Sequence, residues 1–144
     1  KIIKRLKTNM RLVKPISYAS DQKMMLKGIE VEVVSAHHPR AFYPVGYKLS
    51  YDGKTIYHSG DTDLLEFENF HADVALLPIG GNLTMDVVDA IKATKSIKPE
   101  VVIPMHYNTF HSIQADPLEF KQKIEKSILK TVPVILKPGQ TFKF

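Results

Sequence analysis

Hydrophobic and polar residues follow strand-like patterns along most of this chain. In some segments apolar residues alternate with polar ones, and in others they form short continuous runs bounded by turn residues. Asp52-Gly53 separates two of these segments and is the strongest short hairpin signal, so it predicts that 45–51 pairs with 55–58. Strands are predicted over 11–16, 22–26, 31–38, 45–51, 55–58, 73–79, 101–105, 132–136 and 141–144.

Other segments space their apolar residues as helices do. The predicted helices cover 2–8, which Asn9 closes, a short run after Asp63, 85–97 before Pro99, and 117–128, which Asp116 caps. The strand, helix and strand between 73 and 105 predict a right-handed crossover with two parallel strands. Because binding loops gather at the carboxyl ends of such strands, His106 and the loop at 80–82 are expected at the same end.

Three predicted strands lead into a residue that can bind a metal. The strand at 31–38 delivers His37 and His38, the strand at 55–58 leads into Asp61, and the strand at 101–105 leads into His106. Imidazole nitrogen and carboxylate oxygen are ligands that suit a divalent metal such as zinc. Two alternatives stay open: Asp61 is a turn residue or a helix N-cap, or His37 rather than His38 is the ligand.

Most other polar and aromatic residues have a simpler structural interpretation. His58 lies in a strand and is expected to be a hydrogen-bonded core residue. Phe42 and Tyr43 could line a pocket mouth, but packing beneath their loop is the favoured interpretation. The remaining expectations are exposed histidines at 71 and 111, core methionines at 24, 25, 85 and 105, and helix caps at Asp63 and Asp86.

Composition limits the classes of function. The 144 residues suit one domain over 1–144, and 44% hydrophobic with 24% charged residues is typical of a globular protein. The absence of cysteine excludes disulfides and thiolate metal sites. The net charge of +5 is concentrated in two flanking segments, which favours solvated surfaces over nucleic-acid binding. No apolar run is long enough to cross a membrane and no signal peptide is visible, so a cytoplasmic protein is expected.

Several segments together resemble a known family. IYHSGDTDL, ADVALLPIGGNLTMDVVDAIKA and KPEVVIPMHYNTF resemble the metallo-β-lactamase superfamily of metal-dependent hydrolases, in particular a small bacterial and archaeal branch related to ascorbate-phosphate lactonases. The resemblance runs from about residue 28 to the C-terminus. It implies an α/β (α+β) fold that forms a portion of a four-layer αββα sandwich, with two divalent metals at one edge, zinc being expected and manganese an alternative.

The resemblance also implies roles for individual residues. His38 would bind the first metal, Asp61 would bridge both metals, and His106 would bind the second. A hydroxide between the metals would attack an ester, lactone, amide or phosphoester of a small-molecule substrate. The resemblance further implies that Tyr107 and Asn108 support the metals or face the substrate, and that the loop of Gly80, Gly81 and Asn82 offers backbone amides to an oxyanion.

One part of the family pattern does not occur in this chain. The His-x-His-x-Asp-His motif is not found, and the residues that match the pattern supply three of the seven protein ligands. We therefore expect the C-terminal part of a hydrolase domain, completed by an N-terminal segment or a second chain, and the opening on Lys1 rather than Met agrees with this. The isolated chain is expected to self-associate. Two other hypotheses stay open: a binding or scaffolding domain that has lost its metals, and a nucleic-acid-processing relative.

Overall fold

The computed structural model describes residues 22–144, and within them the chain forms one mixed sheet in which the strands lie side by side in sequence order. The first four strands are antiparallel neighbours, and the fourth to the seventh are parallel. The described strands are β1 Lys23–Leu26, β2 Ile29–Ser35, β3 Val45–Tyr51, β4 Lys54–His58, β5 Val74–Pro78, β6 Val101–Met105 and β7 Val132–Pro133. The predicted helix over 2–8 and the predicted strand over 11–16 lie outside the described residues.

The predicted hairpin is confirmed. Asp52 and Gly53 both have positive φ, at 48° and 71°, and Tyr51 pairs with Lys54 directly across the turn. Two left-handed residues in a two-residue loop give the backbone twist that matches two antiparallel strands. The turn therefore fixes the register that places the end of β4 beside the start of β3.

The predicted crossover is also confirmed. Helix α1, Val87–Ile97, connects β5 to β6, and the carboxylate of Asp86 caps it by accepting the N–H of Asp89 at 2.9 Å. A second helix, α2, Pro117–Glu125, connects β6 to β7 and begins at its cap Asp116. This helix ends at Glu125, three residues before the predicted end. A single turn of 3-10 helix, His111–Ile113, lies between β6 and α2.

The two faces of the sheet pack differently because side chains alternate along each strand. On one face both helices contribute to the main core, which is formed by Tyr57, Phe67, Ala72, Ala75, Leu77, Ile79, Met85, Ala90, Ala93, Ile97, Val102, Phe120 and Ile124. On the other face a smaller group of Val74, Val101 and Ile103 packs with the segment after β7 through Val134 and Leu136.

Two predicted elements are wrong. No helix forms after Asp63, because the N–H of Asp63 donates to the carbonyl of His37 at 2.8 Å and Phe67 and Phe70 pack around Tyr57 instead. The strand over 141–144 does not form either. The strand predicted over 132–136 is shorter than expected and covers only Val132–Pro133.

Single residues also differ from expectation. Met25 is 66% exposed rather than buried, and His58 is exposed although its Nδ1 accepts the N–H of Gly60 at 3.1 Å. Met85 is buried and His71 and His111 are exposed, as predicted. Within the described range, the helices are all too short or too polar to cross a bilayer.

Candidate metal centre

The carboxylate of Asp61 and the imidazole of His106 meet at one edge of the sheet. His106 Nδ1 lies 3.1 Å from Asp61 Oδ1, and the side chains remain 33% and 51% exposed respectively. Asp61 follows β4 and His106 follows β6, and β5 runs between these two strands. Since neighbouring strands are about 4.8 Å apart, the two side chains converge across the end of β5 from strands roughly 10 Å apart. The carboxyl ends of the parallel strands thus place in contact two side chains of types that can serve as metal ligands.

Gly60 holds the backbone in the position that presents Asp61. Its φ is +66°, and a Cβ at this position would collide with the carbonyl oxygen of Val45. The preceding residue is tied to the sheet, because the N–H of Ser59 donates to the carbonyl of Leu76 at 3.1 Å. Only glycine allows this close approach with a left-handed backbone at low cost.

Thr62 anchors the other side of Asp61. It is fully buried, and its hydroxyl accepts the N–H of His37 at 2.9 Å and donates to the carbonyl of Asp63 at 2.9 Å. Its own carbonyl accepts the N–H of Met85 at 2.9 Å. The sequence analysis did not identify the anchoring contacts of Thr62 or the close approach of Gly60 to Val45. The Gly-Asp-Thr order was the signal for both, since it places a buried hydroxyl and a left-handed glycine on either side of the carboxylate.

His106 is held in an unfavourable backbone conformation. Its φ is +54°, a left-handed value that costs a residue with a Cβ about 1–2 kcal/mol. The strand before it is fixed, because the carbonyl of Met105 accepts the N–H of Ile79 at 3.1 Å. Gly80 packs so closely that a Cβ there would collide with the carbonyl oxygen of His106. A strained backbone of this kind persists where the surrounding contacts hold the residue in place, and such residues are concentrated at functional sites.

The loop after His106 is clamped by Asn108. The Asn108 Oδ1 accepts the N–H of Ala115 at 3.0 Å, and its Nδ2 donates to the carbonyl of the same residue at 3.0 Å. The N–H of Asn108 also donates to the carbonyl of Ile113 at 2.9 Å. Tyr107 is partly buried against the main core, and burial raises its pKa. The structure thus shows a loop-holding role for the Asn108 amide, and the proposed substrate-facing roles of Tyr107 and Asn108 stay predictions.

The loop that carries His38 lies along the Asp61 segment without completing a cluster. The N–H of Arg40 donates to His38 Nδ1 at 3.3 Å, and the N–H of Ala41 donates to the His38 carbonyl at 3.0 Å. Among residues 22–144, no group of three His, Cys, Asp or Glu side chains is arranged to hold a metal ion. Asp61 and His106 fit a metal by donor type and contact, but catalytic zinc usually takes three protein ligands. The assignment of His38 as a ligand stays a prediction.

The glycine loop is largely closed on itself. The N–H of Gly81 donates to the carbonyl of Met85 at 3.0 Å, and its carbonyl accepts the hydroxyl of Thr84 at 2.8 Å. In this conformation the Gly81 amide has no proton left for an oxyanion. Asn82 is exposed with a φ of +51°. A binding role for Gly80, Gly81 and Asn82 stays a prediction.

Comparison with known proteins adds to this geometry. A family model described as a beta-lactamase superfamily domain matches residues 2–106. The chain is 52% identical over 107 residues to a metal-dependent hydrolase of Ignicoccus hospitalis, a match that covers 70% of this chain and 46% of that relative. The chain spans about half the length of the curated relatives that it matches.

Solved structures agree on the fold. A metallo hydrolase from the hyperthermophilic archaeon Ignicoccus hospitalis matches 96% of this chain and 66% of its own chain, with 37% identity and a TM-score of 0.79. The metallo-β-lactamase fold protein YhfI from Bacillus subtilis matches 89% of this chain and 55% of its own, with 14% identity and a TM-score of 0.71. At that identity the second likeness shows the fold alone. The mixed sheet and its helices thus match the fold of these longer proteins.

Proposed function

We propose that this chain, which belongs to the family of β-lactamase superfamily domains, supplies part of the active site of a metal-dependent hydrolase. The rest of the site would come from the part of the relatives' fold that this chain does not cover. On this proposal, residues 1–144 form one portion of a single hydrolase domain. A small-molecule substrate and a cytoplasmic location belong to the same proposal.

The contact between Asp61 and His106 is the observation that carries the proposal. Asp61 would offer its carboxylate to two divalent ions, while His106 and His38 would each offer an imidazole nitrogen to one of them. Zinc or manganese held there would bring the pKa of a water molecule to about 7, and the resulting hydroxide would attack an ester, lactone, amide or phosphoester. Thr62 and Gly60 would keep Asp61 in place during this reaction.

The second face of the sheet supports the proposal of a missing partner segment. Ile56, Val74, Val101 and Val132 lie in one register row across neighbouring parallel strands. Val74 and Val101 in the middle of this row are buried, whereas Ile56 and Val132 at its two ends are 39% and 55% exposed. Because exposed apolar side chains beside a buried group can extend a packing surface, we expect the isolated chain to self-associate. Sedimentation as a single monomeric species over a wide concentration range would contradict this expectation.

Metal binding tests the proposal directly. The chain would be dialysed against zinc and manganese, alone and together with the part of the Ignicoccus relative that lies outside the matched region. Metal content would be measured by mass spectrometry and hydrolysis with a panel of esters, lactones and phosphoesters. We expect tight metal binding and turnover only in the reconstituted mixture.

Variants identify the ligands. Asp61→Asn and His106→Ala should each weaken zinc binding by more than about 100-fold, since even outer partners of metal ligands cost 10–100-fold. His111→Ala is the matched control, because His111 is an exposed histidine on the 3-10 turn. Zinc affinity that is equal in all three variants would refute the proposed ligands.

One alternative has an observation in its favour. The lack of a three-residue metal cluster within residues 22–144 fits a binding or scaffolding domain without metal. That alternative predicts a stable complex with the remaining segment but no metal in it. The same dialysis experiment therefore separates the two functions.

A further inference from the structure

Two large aromatic side chains are exposed on loops that are attached to the candidate metal centre. Phe42 is 85% exposed and Phe110 is 71% exposed, whereas Phe67 and Phe120 are buried in the core. The expectation that Phe42 packs beneath its loop is therefore wrong. Its ring contacts the ring of Tyr43 instead, with centroids 5.5 Å apart. An aromatic ring that a ligand or partner buries contributes strongly to the energy of that contact.

The loop that carries Phe42 is attached at both ends to the segment that presents Asp61. At its start, the backbone of His37 is hydrogen-bonded to the Thr62 hydroxyl and to the Asp63 N–H. At its end, Val45 packs on Gly60, the residue immediately before Asp61. Phe42 is three residues from Val45, so it lies within about 11 Å of that anchor.

Phe110 lies on the loop that begins at His106, four residues further along the chain. That loop is held closed, because the N–H of Ile113 donates to the Phe110 carbonyl at 3.2 Å and Asn108 clamps Ala115. The reach of four residues places Phe110 within about 14 Å of His106. Since His106 contacts Asp61, both exposed rings lie on loops that are anchored at the candidate metal centre.

We propose that Phe42 and Phe110 form an apolar rim that binds an alkyl or aryl group of the substrate. The rim deepens the hydrolase proposal and rests on it for the identity of the reaction. The polar, scissile group of the substrate would lie at Asp61 and His106, and its apolar part would pack on the two rings. The substrate class is therefore an ester, amide or phosphoester with a chain of several carbons or an aromatic ring, rather than a fully polar sugar or peptide.

Binding can be measured without turnover. The chain contains no tryptophan, so Phe42→Trp and Phe110→Trp each introduce a single fluorophore. Tyr51→Trp is the matched control, because Tyr51 is 64% exposed and lies at the opposite end of β3, roughly 20 Å from Val45. The ligands are straight-chain carboxylates from acetate to decanoate, which resemble products of ester hydrolysis.

The expected result is a blue shift of emission in the Phe42→Trp and Phe110→Trp variants and none in Tyr51→Trp. Affinity should rise about two- to fourfold for each added methylene group. In a second set of variants, Phe42→Ala and Phe110→Ala should each bind octanoate about tenfold more weakly than the wild-type chain does. Tyr51→Ala should bind octanoate as tightly as the wild-type chain. Affinity that does not depend on chain length, or an equal response in the Tyr51 variants, would overturn the proposal.

Two further outcomes distinguish the proposed rim from the metal-ligand assignment and from an interface within the protein. If Asp61→Asn abolishes metal binding without changing the dependence on chain length, the rim stands independently of the ligand assignment. If adding the uncovered part of the Ignicoccus relative shifts the emission of both variants and octanoate then has no effect, the rings belong to an interface within the protein. That result would overturn the rim, and the hydrolase proposal would still be judged by its own metal assay.

Discussion

Gly60 provides the sharpest test of how the fold presents Asp61. Gly60→Ala places a Cβ on a residue with a φ of +66° and drives that atom into the carbonyl oxygen of Val45. The left-handed backbone alone costs about 1–2 kcal/mol for a residue with a Cβ. The collision with backbone atoms adds the cost of overpacking, about 1–3 kcal/mol. We therefore expect the free energy of unfolding to fall by about 2–5 kcal/mol.

Two other glycines separate these contributions. Gly53 has a φ of +71° but a Cβ there would meet no atom within 4 Å, so Gly53→Ala measures the backbone cost alone. Gly80 does not have a positive φ, but a Cβ there would collide with the carbonyl of His106, so Gly80→Ala measures the steric cost alone. Gly60→Ala combines both costs, so it should be destabilised more than Gly53→Ala.

Urea unfolding followed by circular dichroism would measure the three free energies. The slope against urea concentration should be the same in all variants, because each change is local. The reasoning is refuted if Gly60→Ala is destabilised no more than Gly53→Ala, within about 0.5 kcal/mol. That result would mean that Val45 moves aside freely and that Gly60 does not hold Asp61 in place.

Three further predictions concern the support of the fold. The buried hydroxyl of Tyr57 has no hydrogen-bond partner among residues 22–144, so Tyr57→Phe should raise the free energy of unfolding by about 1 kcal/mol at pH 7. Burial raises the pKa of Tyr57, so this side chain ionises at lower pH in the unfolded chain than in the folded one. The free energy of unfolding of the wild type should therefore fall above about pH 10, and it should fall less steeply in Tyr57→Phe. Equal slopes against pH in the two proteins would contradict this. Burial acts to raise the pKa of Asp73, but hydrogen bonds from the N–H and hydroxyl of Thr55, at 2.6 and 2.8 Å, outweigh it and lower the pKa overall. Asp73→Asn should therefore lower the free energy of unfolding by about 2 kcal/mol at pH 7. This difference from wild type should shrink as the pH falls below about 4 and through the lowered pKa of Asp73. Thermal unfolding measured over a series of acidic pH values would test this. Asp86→Ala should cost about 1 kcal/mol as a lost helix cap, with zinc affinity of the reconstituted protein unchanged, whereas a loss of zinc would assign Asp86 to the metal centre.

Local signals predicted the parts of the fold that depend on neighbours in the chain. Asp52-Gly53 specifies a left-handed turn, Asp86 and Asp116 cap helices, and apolar runs mark β5 and β6, and each of these was confirmed. The helix expected after Asp63 failed because long-range contacts compete with helix propensity there. The hydrogen bond from Asp63 to His37 and the packing of Phe70 on Tyr57 join residues that are far apart along the chain.

The sequence by itself indicated most of the elements, the family and the candidate residues Asp61 and His106, because turn chemistry, caps and periodicity are local and the motifs are contiguous. Only the tertiary structure decided that these two side chains meet at 3.1 Å and that Phe42 and Phe110 remain exposed. The same holds for the three-part support of Asp61, in which Gly60 packs on Val45 and Thr62 bonds to His37. Contact and burial depend on which distant segments the sheet brings together, and no single segment of the sequence contains that information.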